Sequence, residues 1–259
     1  MPASAPGARR TDGDRIGDPR QMKLSEVEVP EQDKYEQTPD SYDDLYSSGG
    51  YEGIYQLPYD RSHYYPLFKA VLGELKRRGV KQVLEVGCGV GSFAEMLLER
   101  SDIDYHGFDF SEIAVNQARE SSGRTDAFSV LDATDTASYT RAHDAIVCTE
   151  VLEHIPQDLE TVASWASGNQ FVCSVPNFDA SNHERFFSNE SEVRSRYGDS
   201  LDIERLVRVR KPVIGDIGIA NRLRQLRWMR SRPARFVKIL GFSSFDEDGG
   251  WFVFSGRCR

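Results

Sequence analysis

Residues 82–93 restrict the possible folds of this chain more than any other part of the sequence. They read QVLEVGCGVGSF, an apolar run that ends in three glycines at alternate positions, Gly87, Gly89 and Gly91. A helix-like stretch follows over residues 92–100. Glycines at such a strand-to-helix turn let the backbone approach a ligand, because no Cβ atom stands in the way, and the helix N-terminus adds unpaired N–H groups. The pattern predicts a binding site for a nucleotide-like cofactor, with an ordinary glycine turn as the alternative.

The spacing of the glycines narrows the choice of cofactor. In the dinucleotide fingerprint G-x-G-x-x-G the third glycine would fall at position 92, which is Ser92. The pattern is instead E-x-G-x-G-x-G, with Glu85 two residues before the first glycine. A carboxylate there suits a cationic ligand better than a pyrophosphate, and S-adenosylmethionine carries both a sulfonium and an ammonium group. This argues against a nicotinamide cofactor.

Composition is typical of a soluble protein with some disorder. The 259 residues, 39% of them hydrophobic, have a mean hydropathy of −0.52 and suffice for one large α/β domain with extensions. No apolar run approaches the roughly 20 residues that span a bilayer, and the N-terminus does not resemble a secretory signal. The four cysteines form no C-x-x-C pair, which indicates reduced thiols. We expect a cytoplasmic protein without a transmembrane segment.

Strand and helix patterns alternate from residue 81 onward. The predicted strands are 82–86, 104–110, 127–131, 143–149 and 169–175, and the helices between them are 92–100, 111–120, about 134–140 and 157–167. This alternation predicts an α/β fold with a doubly wound parallel sheet, whose ligands bind at the carboxyl ends of the strands. Residues 242–245 and 251–254 are predicted to pair as a terminal hairpin.

The remaining segments flank this alternation. Residues 1–38 are rich in Pro, Gly, Asp and Arg and are predicted to be a disordered tail. We expect residues 39–79 to form an aromatic lid and a helix. Residues 80–259 would form the cofactor-binding domain, with a substrate-side insertion at 178–240.

The ends of the next strands carry residues that suit an adenosine. Asp109 can accept hydrogen bonds from both ribose hydroxyls, although it could also cap the following helix. Phe110 can cover one face of an adenine. Asp132 can accept from the adenine amino group, and Ala133 can offer its N–H, although aspartate after a strand is also a common turn residue.

Residues 80–176, together with the terminal region 241–257, resemble the class I S-adenosylmethionine-dependent methyltransferases. LEVGCGVGSF matches the first motif of that family, GFDFSEIAVNQAR the second, LDA the third and EVLEHI the fourth. The resemblance implies a seven-stranded, mostly parallel sheet of order 3-2-1-4-5-7-6 with helices on both faces. It also implies S-adenosylmethionine as the cofactor and S-adenosylhomocysteine as the product.

The resemblance assigns cofactor-binding roles to matching positions. Glu85, Gly87, Cys88, Gly89 and Gly91 would hold the methionine portion, Asp109 the ribose, Phe110, Asp132 and Ala133 the adenine, and Thr149 and Glu150 the floor beneath the sulfonium. Methyl transfer from a sulfonium depends mainly on positioning and desolvation. An alcohol or phenol acceptor must also lose a proton, and His154 is the candidate base because histidine titrates near neutrality. The alternative is a structural histidine that caps the next helix.

The EVLEH stretch also resembles that of quinone-biosynthesis O-methyltransferases and the EVIEH of small-RNA 2′-O-methyltransferases, in which carboxylates and histidine are associated with a divalent metal. Glu150, Glu153, His154 and His183 could supply such ligands. We assign no metal ligand from the sequence, because His183 lies only 29 residues beyond His154, closer than the RNA enzymes' fourth ligand usually falls.

The candidate substrate contacts are Tyr51, Tyr55, His183 and Arg185. The favoured activity is O-methylation of a small-molecule acceptor, which could be anionic. The alternatives are a methyltransferase for RNA or another polyanion, and a non-catalytic cofactor-binding module. Residues 205–238 hold eleven Lys and Arg against the single acid Asp216, but Trp228 and Phe236 are too few for an RNA-stacking surface, so nucleic acid is not favoured. The sequence gives no signal for an oligomeric state.

Overall fold

The computed structural model describes residues 38–211, 245 and 249–259, and within them seven strands form one sheet. The strands are β1 (Gln82–Val86), β2 (Asp104–Asp109), β3 (Phe128–Val130), β4 (Ala145–Cys148), β5 (Gln170–Pro176), β6 (Leu201–Arg210) and β7 (Gly250–Cys258). Their order is β3-β2-β1-β4-β5-β7-β6. The first five strands are parallel, and β7 runs antiparallel to both β5 and β6. The predicted fold class and strand order are therefore confirmed.

Helices cover both faces of the sheet. They are α1 (Pro39–Ser47), α2 (Tyr65–Arg77), α3 (Ser92–Arg100), α4 (Glu112–Ser122), α5 (Asp158–Ala163) and α6 (Glu190–Tyr197). Short 3₁₀ turns lie at Tyr51–Gln56, Tyr59–Arg61, Thr125–Ala127 and Thr136–Tyr139. Helices α2, α3 and α4 contribute to one hydrophobic cluster, whereas α5 and α6 contribute to another. Among the described residues, no helix combines the length and apolarity needed to cross a bilayer.

The two clusters follow from the alternation of side chains along buried strands. Val83 of β1 and its partner Tyr105 of β2 belong to the cluster with α2, α3 and α4. The neighbouring residues Leu84 and Phe108 belong to the other cluster. Because successive side chains in a strand point to opposite faces, the continuous apolar runs in β1 and β4 indicate strands that are covered on both sides.

The terminal hairpin differs from its prediction. Strand β7 pairs with β5 on one side and with β6, Leu201–Arg210, on the other, so both of its edges are occupied. Of the predicted partner 242–245, only Phe245 is among the described residues, and it is not part of a strand. The predicted insertion 178–240 also contains α6 and β6, which means that part of it completes the sheet. The alternation of charged and apolar residues over 205–213 indicates an exposed strand, and β6 is an edge strand of the sheet.

Two predicted helices are shorter than expected. The helix expected over 134–140 is the 3₁₀ turn Thr136–Tyr139, and the Asp135 side chain caps its start by accepting the Ala137 N–H. The helix expected over 157–167 ends at Ala163, where the Ser164 hydroxyl donates to the Thr161 carbonyl. The other domain boundaries stay a prediction, and the predicted tail lies outside the described residues up to residue 37.

Asp158 at the start of α5 forms a buried polar network. Its carboxylate is fully buried and accepts two hydrogen bonds from Arg196, at 2.6 and 2.7 Å. The buried Tyr197 hydroxyl donates to the same carboxylate at 2.9 Å. The network joins α5 to α6 on the face of the sheet that these two helices cover.

We predict that Asp158→Ala destabilises the protein by about 2 to 3 kcal/mol, since it leaves the Tyr197 hydroxyl buried without its acceptor. Urea unfolding measures this difference. Asp102→Ala is the control, because Asp102 is exposed between α3 and β2. Equal stability of the two variants would contradict a stabilising role for the Asp158 network.

Candidate functional site

The glycine-rich loop between β1 and α3 requires glycine for two reasons. Gly87, Gly89 and Gly91 have φ values of 69°, 51° and 83°, in the left-handed region that side chains disfavour. A Cβ atom on Gly87 would also lie 2.3 Å from Cγ2 of Val151, which follows β4. The loop therefore packs directly against the end of β4, and Gly91 begins α3 as its N-cap.

Asp109 at the end of β2 holds this loop in place. Its Oδ2 accepts the Gly89 N–H at 2.9 Å and its Oδ1 accepts the Ser111 N–H at 3.0 Å. Beside it, the Cys88 N–H donates to the Phe108 carbonyl at 2.9 Å. Asp109 is only 4% exposed, and burial raises its pKa to about 6 although the N–H groups of Ser111 and Gly89 lower it.

Glu85 lies beneath the loop in the core. It is 2% exposed, and the Tyr105 hydroxyl donates to its carboxyl at 2.5 Å. Burial raises the pKa of Glu85 to about 8, and the charge of Asp109 contributes to the rise. Burial thus favours the protonated form of this carboxyl, although the hydrogen bond from Tyr105 opposes it, and the sequence pattern does not reveal this burial.

A cavity of about 580 Å³ lies at the carboxyl ends of β1, β2, β3 and β4. We call it the larger cavity. Its lining includes all the residues predicted to bind the adenosine, which are Asp109, Phe110, Asp132 and Ala133. Gly87, Glu150 and His154 of the predicted site also line it. Within this set Asp132 is exposed and accepts the Thr134 N–H at 2.8 Å, as in an Asx turn.

A second cavity of about 90 Å³ lies on the other side of the glycine-rich loop. We call it the smaller cavity. Its walls include most residues predicted to hold the methionine portion and the floor beneath the sulfonium. These are Glu85, Gly87, Cys88, Gly89, Thr149 and Glu150. Tyr46, Gly87 and Glu150 line both cavities, so the two cavities are neighbours.

Helix α1 supplies lining residues that the sequence analysis did not single out. Tyr42 and Tyr46 line the larger cavity, and Tyr42 contacts Phe110 edge to face at 5.1 Å between ring centroids. Ser111 donates its hydroxyl proton to Asp43, which fastens α1 to the start of α4. The signal for this helix is a capping threonine, Thr38, followed by proline and by two tyrosines four residues apart on one helical face.

Glu150 occupies a strained position where β4 ends. Its φ of 57° is the only left-handed value for a non-glycine residue in the described parts of the chain, and such strain concentrates at functional sites. Its Oε1, like both carboxyl oxygens of the fully buried Glu153, has no described hydrogen-bond partner. Burial raises the pKa of both carboxyls, and the charge of Glu150 raises that of Glu153 further.

His154 is held in one protonation state. Its Nδ1 lies 2.7 Å from the Asn182 carbonyl, which only accepts, so Nδ1 carries the proton and Nε2 keeps a lone pair. Burial lowers the pKa of His154 to about 4. The expectation that it titrates near neutrality is wrong, because the sequence does not report its burial. A neutral imidazole is nevertheless the form that a base requires, and the catalytic role stays a prediction.

His183 approaches His154 from the loop after β5. Its Nδ1 lies 3.2 Å from the Phe178 carbonyl oxygen and donates to it, so Nε2 again keeps a lone pair. Potential ligand atoms of Glu153, His154 and His183 lie within 4.8 Å of one another. Two imidazoles oriented by backbone carbonyls and one unpartnered carboxylate fit the divalent metal that the EVLEH resemblance implies. Glu150 lies outside that group.

The remaining predicted substrate contacts occupy different surroundings. Tyr55 lines the smaller cavity and packs on Tyr46 with 4.9 Å between ring centroids, whereas the side chain of Tyr51 lies outside the described set. Arg185 donates to the carbonyls of Leu152 and Ile155 and thereby fixes the segment that carries His154. These bonds give Arg185 a positioning role, and its predicted contact with substrate stays a prediction.

Comparison with known sequences identifies related proteins. Residues 59–209 match the family model described as a methyltransferase domain. A ubiquinone biosynthesis O-methyltransferase of Saccharophagus degradans is 30% identical over 105 residues, which is 39% of this chain and 44% of that protein. Its counterpart in Thiobacillus denitrificans is 37% identical over 93 residues, 33% of this chain and 38% of that protein. The chain thus matches less than half the length of these curated relatives.

Comparison of structures identifies the same fold. The N-methyltransferase NodS from Bradyrhizobium japonicum, solved with S-adenosylhomocysteine, superposes with a TM-score of 0.52. The match covers 77% of this chain and 89% of that chain at 18% identity, which establishes a shared fold.

The close approach of Gly87 to Val151 yields a prediction about the loop. Gly87→Ala should destabilise the protein more than Gly79→Ala, which places the same methyl group at a φ of 68° with nothing within 4 Å. Left-handed strain alone costs about 1–2 kcal/mol, and the clash adds about 1–3 kcal/mol. Urea unfolding measures both. Adding Val151→Ala to Gly87→Ala should restore the part of the unfolding free energy that the clash removes. If the double variant is no more stable than Gly87→Ala, the proposed contact is contradicted.

Proposed function

Because this chain belongs to the class I S-adenosylmethionine-dependent methyltransferases, with more than half of its residues matched by the methyltransferase-domain model, we propose that it methylates an oxygen atom of a small-molecule acceptor. The observation that carries the proposal is the fixed, neutral His154 in the wall of the larger cavity, since oxygen acceptors need a base. The O-methyltransferase activity named for the curated relatives supports the same choice.

The proposed cofactor position follows the two cavities. The adenosine occupies the larger cavity, with its ribose at Asp109 and its adenine between Phe110 and the Asp132–Ala133 turn. Each Asp109 oxygen accepts one backbone N–H and keeps a lone pair for a ribose hydroxyl. The methionine portion passes Gly87 into the smaller cavity, towards Glu85. A cationic ligand there favours the ionised form of Glu85, which burial otherwise disfavours.

The chain's own residues then perform three tasks. When bound, the cofactor would supply an electrophilic methyl group on its sulfonium. The acceptor oxygen would attack that methyl carbon in line, and the sulfur would leave as the neutral thioether of S-adenosylhomocysteine. The glycine-rich loop and Asp109 orient the cofactor. This orientation lowers the entropic cost of bringing the methyl group and the acceptor into the reactive geometry. Helix α1 covers the site with Tyr42 and Tyr46 and excludes water. Nε2 of His154 accepts the acceptor's hydroxyl proton, so that the methyl group replaces the proton on that oxygen and the proton moves to the imidazole.

A divalent metal gives a second route to the same product. Glu153, His154 and His183 would hold the ion, and the ion would supply Lewis-acid polarisation of the acceptor oxygen. In that arrangement His154 is a ligand and not the base. Substitution of His183 separates the two routes, because His183 has no part in the proton transfer described above.

The described part of the basic segment does not favour a polyanionic acceptor. Arg205 pairs with Glu74 at 2.9 Å and Arg208 pairs with Glu190 at 3.1 Å, so their charges are neutralised within the protein. Residues 212–238 of the segment lie outside the described residues. The small-molecule acceptor is therefore retained as the proposal.

Asp109→Ala should weaken S-adenosylmethionine binding at least tenfold, or by about 1.4 kcal/mol, because it removes two acceptors for ribose and releases the Gly89 and Ser111 N–H groups. Isothermal titration calorimetry measures the affinity. Asp104→Ala is the control, since Asp104 begins the same strand and is exposed. Unchanged affinity of Asp109→Ala for S-adenosylmethionine would contradict the assignment of Asp109 to the ribose.

His154→Ala should reduce turnover by about 10²–10⁴-fold while cofactor affinity changes little, because the imidazole acts on the acceptor. A methyl-transfer screen over phenols, sugars, carboxylates and RNA supplies the acceptor for this assay. His143→Ala, at the opposite end of β4, should retain activity. Full activity of His154→Ala would exclude His154 as the general base. Equal losses in His154→Ala and His183→Ala, together with sensitivity to chelators, would support the metal route instead.

A further inference from the structure

Glu85 and Tyr105 form a buried pair beside the smaller cavity. They lie on the neighbouring strands β1 and β2, and each is only 2% exposed. The Tyr105 hydroxyl donates to Oε2 of Glu85 at 2.5 Å, and it keeps its proton because burial raises the pKa of Tyr105 well above its ordinary value. Glu85 lines the smaller cavity, whereas Tyr105 is not part of the cavity wall. Tyr105 can therefore act on a ligand there only through Glu85.

The strand register explains how Tyr105 reaches Glu85. Glu85 lies directly opposite Gly107, and Tyr105 lies two residues earlier in β2 on the same face of the sheet. A Cβ atom on Gly107 would lie 2.1 Å from the Tyr105 hydroxyl oxygen, so this hydroxyl occupies the space that a side chain at position 107 would fill. Gly107 belongs to a strand and has no positive φ, so glycine is required there for space and not for conformation.

The hydrogen bond from Tyr105 favours the ionised form of Glu85 in surroundings that otherwise oppose it. Desolvation raises the pKa of Glu85 to about 8, and the charge of Asp109 contributes to the rise, whereas the bond from Tyr105 lowers the pKa. Among the described residues, no cation acts on this carboxyl, although a buried charge is costly without a partner. The cavity that Glu85 lines is where a ligand can supply the positive charge.

We propose that Tyr105 is a positioning residue for the cofactor, which holds Oε2 of Glu85 so that Oε1 binds the ammonium group of the methionine portion. The inference deepens the proposed function and rests on it, because it takes the methionine portion to lie in the smaller cavity. Tyr105 is the only hydrogen-bond donor to this carboxyl among the described residues. A carboxylate that is already fixed binds an ammonium group more tightly than one that binding must first order.

Binding of two ligands to the full chain separates this role from a purely structural one. S-adenosylhomocysteine carries the ammonium group, whereas 5′-methylthioadenosine has the same adenosine and thioether sulfur but ends in a methyl group. Tyr105→Phe should weaken binding of S-adenosylhomocysteine about tenfold, the effect of one charge-assisted hydrogen bond, and should leave binding of 5′-methylthioadenosine unchanged. Isothermal titration calorimetry measures both affinities. Tyr105→Met also lacks the donor, should have the same effect, and keeps the test usable if Tyr105→Phe fails to fold.

Tyr197→Phe is the matched control. Tyr197 is also a buried tyrosine whose hydroxyl donates to a buried carboxylate, that of Asp158. It belongs to the hydrophobic cluster with α5 and α6, and it lines neither cavity. The variant loses the same kind of hydrogen bond as Tyr105→Phe, but it should keep the wild-type ratio of the two affinities.

A double-mutant cycle tests whether Tyr105 acts through Glu85. Glu85→Gln keeps the shape of the side chain but removes the carboxylate, so it should itself weaken S-adenosylhomocysteine binding about tenfold. Adding Tyr105→Phe to Glu85→Gln should then change that affinity by less than about twofold, because the interaction that Tyr105 supports is already lost.

Three results would overturn the inference. The first is a folded Tyr105→Phe or Tyr105→Met protein that keeps the wild-type ratio of affinities. The second is equal weakening of both ligands, which indicates a structural role alone. The third is a full additional loss when Tyr105→Phe is added to Glu85→Gln. A wild-type protein that binds neither ligand would refute the proposed cofactor, whereas any of the three results with intact wild-type binding would refute only the role of Tyr105.

Discussion

The hydrogen bond from the Gly89 N–H to the Asp109 carboxylate joins the ends of two neighbouring strands, and the rest of the site depends on it. It continues the pairing of β1 and β2 beyond their last residues, where parallel strands would otherwise diverge. Only a left-handed backbone turns the Gly89 N–H towards Asp109 at this point. With the loop fixed, Gly87 touches Val151, and the larger and smaller cavities lie on either side of one rigid backbone segment.

The site also concentrates carboxyl groups that oppose folding. Glu85, Asp109, Glu150 and Glu153 are removed from water, and burial raises the pKa of each. A core optimised for stability alone would not hold such groups. Glu85, Asp109 and Glu150 line the two cavities, which fits a site that admits a positively charged ligand, in which ligand binding offsets the cost of burying these groups.

The central fold could be predicted from local sequence patterns. The features that could not be predicted depend on tertiary contacts between distant parts of the chain. The run 82–93 encodes its strand, turn and helix within twelve residues, so its structure follows from spacing alone. The alternation of charged and apolar residues in β6 indicates an exposed strand, but its pairing with β7 crosses a long segment of chain and could not be predicted from local patterns. Burial lowers the pKa of His154, although the hydrogen bond to the Asn182 carbonyl raises it. These contacts join segments that are far apart in the chain and leave no signal in the sequence.

Because burial raises the pKa of Glu85, binding of the proposed cationic cofactor would be coupled to release of a proton from this carboxyl. In the proposed arrangement, arrival of the cationic cofactor expels the proton of Glu85, because a carboxylate forms beside positive charge. Methyl transfer then converts the sulfonium into a neutral thioether and removes part of that charge. The carboxylate regains its affinity for a proton, and its hold on the spent cofactor weakens. One buried acid would thus bias the protein towards the methylated form of its cofactor and against retention of the product.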